Sequence, residues 1–299
     1  RLKKPGILTM KIPILGTGVS GLVGSRIVEL LGDRYEFTDL SLATGVNITN
    51  KEQVLAAFQN SPASIVLHMA AKTDVDSCED DKIYGEEGAA WMVNVVGTQN
   101  IVDAAKKYKK RLIYISTDFV FDGTKEFYRE DMEVNPLNWY GITKAEGERL
   151  VKEANISYTI IRLAYPYRTY FNQKFDFVRR IIDRAKSKQK LFALTDHIFT
   201  PTFIDDIAIA LQILFERELV DTFHVVGSES LTPKEAIGRI LAKFELSTDI
   251  TPITRGEFFK DRAFRPFKLA LKNDKITELG IKMKRFDEGL EEMKKQLKG

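Results

Sequence analysis

The stretch KIPILGTGVSGLVGSRIVELLG, residues 11–32, decides the fold. It opens with a short apolar run, KIPIL, and closes with apolar residues recurring at helical spacing. Gly16, Gly18, Gly21 and Gly24 fall between the two, at a strand-to-helix turn. Glycine tolerates positive φ and lets backbone N–H groups come close to a phosphate. A helix N-terminus at the same place favours an anion. Together these features predict a loop that cradles a dinucleotide pyrophosphate.

Working outward, short β-branched runs alternate with helical patterns. YEFTDL (35–40), SIVLHMA (64–70), RLIYIS (111–116) and SYTIIRLA (157–164) read as further strands. EQVLAAF, WMVNVVGTQNIVDAAKKY and TKAEGERLVKEA read as helices between them. This alternation predicts an α/β fold: a Rossmann-type doubly wound parallel sheet with a smaller C-terminal substrate lobe. The expected division is 10–164 for the dinucleotide-binding domain and 165–299 mostly for the substrate lobe. The two interleave, with TFHVVG (222–227) returning to the sheet. FIDDIAIALQILFE and KEAIGRILAKF read as helices of the second half, and RFDEGLEEMKKQLK as a solvated amphipathic helix.

Composition sets outer limits. The 299 residues are 44% hydrophobic and 29% charged, ordinary for a globular chain. No apolar run has the length of a membrane span, and the basic start RLKKPGILTM is too short in apolar residues for a secretory signal. Met10 opens the strand-like run, so residues 1–9 read as an upstream extension. The net charge of +3 is matched by Arg1, Lys3 and Lys4 of that extension, so nothing points to nucleic acid. One cysteine, Cys78, excludes an internal disulfide and suits a reducing cytoplasm. With it, the scattered His68, His197 and His224 offer no metal-ligand spacing.

Two further features carry chemistry. Asp39 closes the second strand, where a carboxylate can accept from the adenosine ribose hydroxyls and repel a 2′-phosphate. No arginine follows it, which favours NAD over NADP. Tyr140 and Lys144, in YGITK, share one helix face one turn apart. A lysine there is expected to lower the tyrosine pKa and make the phenol a proton donor or acceptor.

With STDFVFDG (116–123) between them, the glycine loop and YGITK make the chain resemble an extended short-chain dehydrogenase/reductase. Within that superfamily it most resembles the dTDP-4-dehydrorhamnose reductase family, from about Lys11 to about Ile281. The likeness is carried by GVNIT (45–49), HMAAKTDVDSCE (68–79), NVVGT (94–98), YREDMEVNPLNWYGITKAEGE (128–148), PTFIDDIA (201–208) and RPFKLALKNDKITELGI (265–281). The resemblance implies Tyr140 as proton donor and Lys144 as the residue that tunes it and bonds the nicotinamide ribose. It also implies Thr117 as the group that orients the substrate oxygen. It implies cofactor contacts from Gly18, Ser20, Gly21, Leu22, Val23, Asp39, Asn47, Ile48, Ala70, Ala71 and Lys72, and from Tyr140 and Lys144. Asp118, Phe119, Tyr165 and His197 are the implied substrate contacts. Phe119 stands where sugar-nucleotide dehydratases carry an acid–base glutamate, which argues against elimination of water.

The chain departs from the family in places. Asn47 stands for an aspartate, Tyr165 for a tryptophan, and Asp176-Phe177 for an Asn-Phe pair whose carboxylate suits a diphosphate poorly. His197-Ile198-Phe199-Thr200-Pro201-Thr202 replaces a Gln-x-Gly-x-Pro-Thr pattern. Elsewhere, His68, Cys78, Trp91 and Trp139 read as packing residues and Arg162 as half of a structural ion pair. The expected activity is NAD(P)H-dependent reduction of a nucleotide-linked 4-keto-6-deoxy sugar, by a cytoplasmic protein for which a homodimer is one candidate assembly, with no metal, membrane or nucleic-acid partner. The same resemblance admits a catalytically silent NAD(P)-binding regulatory subunit similar to the methionine adenosyltransferase β subunit. It also admits a sugar-nucleotide epimerase.

Overall fold

The structure is a computed structural model and describes residues 10–298; the extension at 1–9 lies outside them. Six strands form the central sheet: β1 (Ile12–Thr17), β2 (Tyr35–Leu40), β3 (Ile65–His68), β4 (Arg111–Thr117), β5 (Tyr158–Leu163) and β6 (Asp221–His224). Their order is β6-β5-β4-β3-β1-β2, and every pairing is parallel. The chain runs from β1 outward to β2, then crosses back to β3 on β1's other side. Strand order therefore reverses between β1 and β3, and that switch point opens a crevice at the carboxyl ends of the strands.

The sheet is buried on both faces because its strands are apolar at successive positions. Neighbours such as Ile14 and Leu15 point to opposite faces. On one face Ile14, Leu67, Ile113 and Ile161 pack with Ile27 and Leu31 of α1 (Gly24–Leu31). On the other, Leu15, Val66, Leu112 and Ile160 meet α2 (Lys51–Gln59), α4 (Gly97–Lys107) and α5 (Trp139–Glu153). Between α2 and α4, the short α3 (Val75–Asp81) follows β3.

The second half of the chain contributes to the sheet. α7 (Ile204–Glu216) lies beside α1 and buries Ile207, Leu211 and Leu214 in the same core. Arg26 of α1 bonds Asp205 through two 2.7 Å hydrogen bonds. Arg168 reaches the glycine loop, donating to Leu22 O at 3.3 Å and to Ser25 Oγ at 2.8 Å. The smaller lobe has its own aromatic core of Tyr167, Phe177, Phe199, Phe203 and Phe286. Around it stand α6 (Phe177–Lys186), α8 (Pro233–Phe244) and α9 (Phe286–Gln296).

Three local differences from the sequence reading have plain causes. The strand expected over 64–70 pairs only over Ile65–His68: the Met69 N–H still reaches Thr17 O at 3.1 Å, but the Ala70 N–H turns to Thr17 Oγ1 at 3.0 Å. The return strand expected over 222–227 is Asp221–His224. The long helix before β4 is continuous, but Met92–Val96 forms a π-turn that swings Asn94 inward. Among the described residues no helix is long and apolar enough to cross a membrane, and no cluster of acidic, cysteine or histidine side chains is placed to hold a metal ion.

Candidate active site

The loop that follows β1 is shaped by contact. Gly18 has φ +67, and a Cβ there would stand 2.7 Å from Ala70 N. A Cβ on Gly24 would stand 2.5 Å from Gly18 O. Any side chain at either place would push the loop off the β3 exit or off the helix start. Asp39 is paired in register with Gly16 across the β1–β2 ladder. Its Oδ2 accepts from Ser41 Oγ at 2.9 Å, while Oδ1 is buried with no partner. A buried lone carboxylate oxygen beside a glycine cradle is a ready acceptor for ribose hydroxyls. These residues fit a dinucleotide.

The remaining implied cofactor residues divide. Leu22 and Val23 line the cleft with Gly18. Ser20 is exposed on the loop, and Gly21 closes its turn by donating to Gly18 O at 3.1 Å. Ala70 and Ala71 are half-buried at the β3 exit. Asn47 is less available than expected: its Oδ1 already accepts from Thr49 N and Thr49 Oγ1 at 3.0 and 2.9 Å. Ile48 is a core side chain against the helix at Gly97. The Lys72 ammonium is paired with Asp81 and bonds Ser77 O, so its charge serves α3.

Thr117 ends β4 and Tyr140 enters in the first turn of α5. That helix is capped by Asn138, whose side chain accepts from Gly141 N at 2.9 Å. It is pressed against the turn after β4: a Cβ on Gly141 would fall 2.3 Å from Phe119 O. A cleft of about 780 Å³ results, lined by Gly18, Thr117, Asp118, Phe119, Tyr140 and Tyr165 among others. Thr117 Oγ1 donates to Asp118 Oδ1 at 3.0 Å, and the Tyr140 ring meets Phe119 edge-on at 5.8 Å.

The electrostatics reverse one expectation. Burial pushes the Tyr140 phenol up, and Asp118 adds to the rise while Thr117 opposes it. Lys144 does not lower it here. Its ammonium, itself buried, donates to Ile115 O at 2.7 Å and lies 4.1 Å over the Tyr114 ring. Burial brings that ammonium down to about 7. Asp118 is raised to about 7 by burial, against its bonds to Thr117 and the backbone, and its Oδ2 has no partner.

His68 is a core residue, as read from the sequence. It bridges Thr17 Oγ1 and Thr98 Oγ1 at 2.7 and 3.0 Å, and burial lowers its pKa to about 3. Arg162 pairs with Glu148, both fully buried, at 2.7 Å, and Trp91 stacks on Trp139. The feared carboxylate of Asp176 is occupied: it caps α6 at Arg179 N and accepts from Arg179 Nε at 2.7 Å. Lys174, Arg180, Arg184 and Arg262 line the cleft around it. One residue escaped the sequence reading. Asn94 accepts from Lys72 N at 2.8 Å and donates to Lys72 O and to Thr143 Oγ1, tying the β3 exit to α5. Its only signal was a lone amide inside the apolar run WMVNVV.

Known proteins fall around this geometry. The profile of the RmlD substrate binding domain matches residues 10–298. The dTDP-4-dehydrorhamnose reductase of Aggregatibacter actinomycetemcomitans is 34% identical over 210 residues, 69% of this chain and 68% of that protein. Methionine adenosyltransferase 2 subunit beta of Xenopus tropicalis is 31% identical over 89% of this chain and 81% of its own length. A crystal structure of dTDP-4-dehydrorhamnose reductase from Bacillus anthracis in complex with NADP superposes with a TM-score of 0.87 at 29% identity. It covers 96% of this chain and 100% of that one.

Proposed function

The chain belongs to the RmlD substrate binding domain family, and we propose that it reduces a nucleotide-linked 4-keto-6-deoxy sugar with a nicotinamide dinucleotide. One observation carries the reading: Thr117, Asp118 and the buried phenol of Tyr140 line the same cleft as Gly18 of the loop. The cofactor, when bound, supplies hydride to the carbonyl carbon. Gly18, Leu22 and Val23 would hold its pyrophosphate and Asp39 its adenosine ribose. Thr117 orients the substrate oxygen by a hydrogen bond, and Tyr140 gives that oxygen its proton. Burial keeps the phenol protonated at neutral pH, the state a donor needs. Lys144, whose ammonium is held at Ile115 O, would bond the nicotinamide ribose. Phe119 has no proton to exchange, so it cannot serve as the acid–base glutamate that a dehydratase carries at that position, which argues against dehydration. Lys174, Arg180, Arg184 and Arg262 give a diphosphate cationic neighbours.

The test mixes protein with dTDP-4-keto-6-deoxy sugar and NADPH or NADH and follows loss of cofactor absorbance. The reading expects loss with the wild type and a fall of about a hundredfold or more in Tyr140→Phe. Measurable cofactor binding with no consumption would reject it. The likeness to methionine adenosyltransferase 2 subunit beta favours a second reading, a cofactor-binding subunit whose work is partner contact. That reading expects binding without turnover and a co-purifying enzyme.

A further inference from the structure

Tyr165, two residues past β5, has its backbone in the left-handed region at φ +41. An aromatic residue rarely rests there unless its surroundings hold it. Phe199 packs on its ring at 4.4 Å, and its hydroxyl lies 3.0 Å from His197 Nε2. His197 is buried behind it, and its other nitrogen, Nδ1, lies 3.1 Å from the carbonyl oxygen of Pro266. A carbonyl can only accept, so Nδ1 carries the proton. Burial brings this imidazole down to about 4, so the ring is neutral near pH 7 and Nε2 holds a lone pair. Tyr165 must then donate its one proton to His197. Tyr165 lines the cleft, and any further hydrogen bond its oxygen makes there can only be accepted. The arrangement is anchored to the Tyr140 helix, because Asn138 of the helix cap also donates to Phe264 O at 2.8 Å, two residues before Pro266.

We propose that Tyr165 is a specificity-determining residue that accepts a hydrogen bond from a ring hydroxyl of the sugar, with His197 as the positioning residue that fixes its polarity. The proposal rests on the reading that this cleft takes a keto sugar. It predicts that an analogue lacking the donor, whether deoxy or deoxyfluoro, is discriminated against. Fluorine accepts and cannot donate, so it gains nothing from an oxygen with lone pairs only.

Two measurements test it. In the full chain labelled with ¹⁵N-histidine, the three histidines are observed by NMR, with His197→Gln to assign the signal. His197 is expected protonated at Nδ1 and bare at Nε2; a protonated Nε2 would overturn the proposal whatever the activity. The second is kinetic, using dTDP-4-keto-6-deoxy sugar and its deoxy and deoxyfluoro forms at C2 and C3. At one position KM is expected to rise about tenfold for both analogues, the effect of one lost hydrogen bond. Tyr165→Phe erases that difference. His197→Phe releases the phenol proton and narrows the gap between fluoro and hydroxyl forms. A Tyr165→Phe protein that loses kcat alone and keeps the hydroxyl preference contradicts the assignment. If the wild type consumes no parent sugar, the functional reading fails. Calorimetric binding of the same sugars to wild type and Tyr165→Phe then decides the role of Tyr165 separately.

Discussion

Tyr140 and Lys144 leave one face of α5 and meet different surroundings, and so do the charges they can hold. Lys144 titrates at about 7 instead of 10.5. Between those values the unfolded chain binds more protons than the folded one, so this lysine's contribution to stability rises with pH across that window. Below about 7 the buried charge is a full penalty. Lys144→Met should therefore stabilise the protein most at or below about pH 7, by a margin that shrinks toward 10.5. Asp118 has the opposite sign. Its pKa is raised from 3.8 to about 7, the folded state binds the extra proton, and its contribution falls as pH rises through that window. Asp118→Asn should gain relative stability up to about pH 7 and then level off. Urea midpoints measured across pH for the two variants check both; equal shifts at every pH would contradict the assignment. None of this was legible in YGITK. The spacing placed both groups on one face, but the direction of each shift comes from burial, which the partners from β4 impose.

At the scale of elements, the position of the Tyr140 helix is set by what lies beneath it. Arg162 of β5 donates to both oxygens of Glu148, at 2.8 and 2.7 Å, with neither side chain reaching solvent. Its guanidinium also lies 4.9 Å over the Phe121 ring. Removing one partner leaves an unpaired buried charge, so Glu148→Gln should cost about 3–5 kcal/mol. Glu148→Leu combined with Arg162→Met should recover much of it. Denaturant unfolding of the single and double variants decides; a cost under 1 kcal/mol would mean the pair behaves like a surface bridge. The strands, the glycine turn and the helix bearing Tyr140 could be read from period and turn residues. The π-turn at Met92–Val96, the Lys72–Asp81 pair and the capping role of Asp176 could not, because each depends on a contact between segments remote in sequence or on a local choice between equivalent hydrogen bonds.

At the scale of the whole molecule, the two halves share one sheet. β6 and α7 both come from the part of the chain beyond residue 164, and they cover one edge and part of one face. A fragment ending at residue 164 would expose Ile113, Ile161 and Leu163 and leave β5 as a bare edge. It should therefore show no cooperative unfolding transition, whereas the full chain should show one; a fragment that unfolds cooperatively would mean the halves are independent. The sheet with its glycine loop was readable along the chain because each unit is local. The substrate side was less so: Tyr165, His197 and Pro266 meet only when the smaller lobe folds back. The central claim is that hydride passes from the nicotinamide to the sugar carbonyl while Tyr140 supplies the proton. The most direct measurement uses cofactor carrying deuterium in place of the transferred hydrogen, with the sugar product read by mass spectrometry. The account predicts a product heavier by one deuterium in the wild type and about a hundredfold less of it in the same time from Tyr140→Phe. An unlabelled, isomerised sugar with cofactor unconsumed, or no product from protein that binds both ligands, would contradict it.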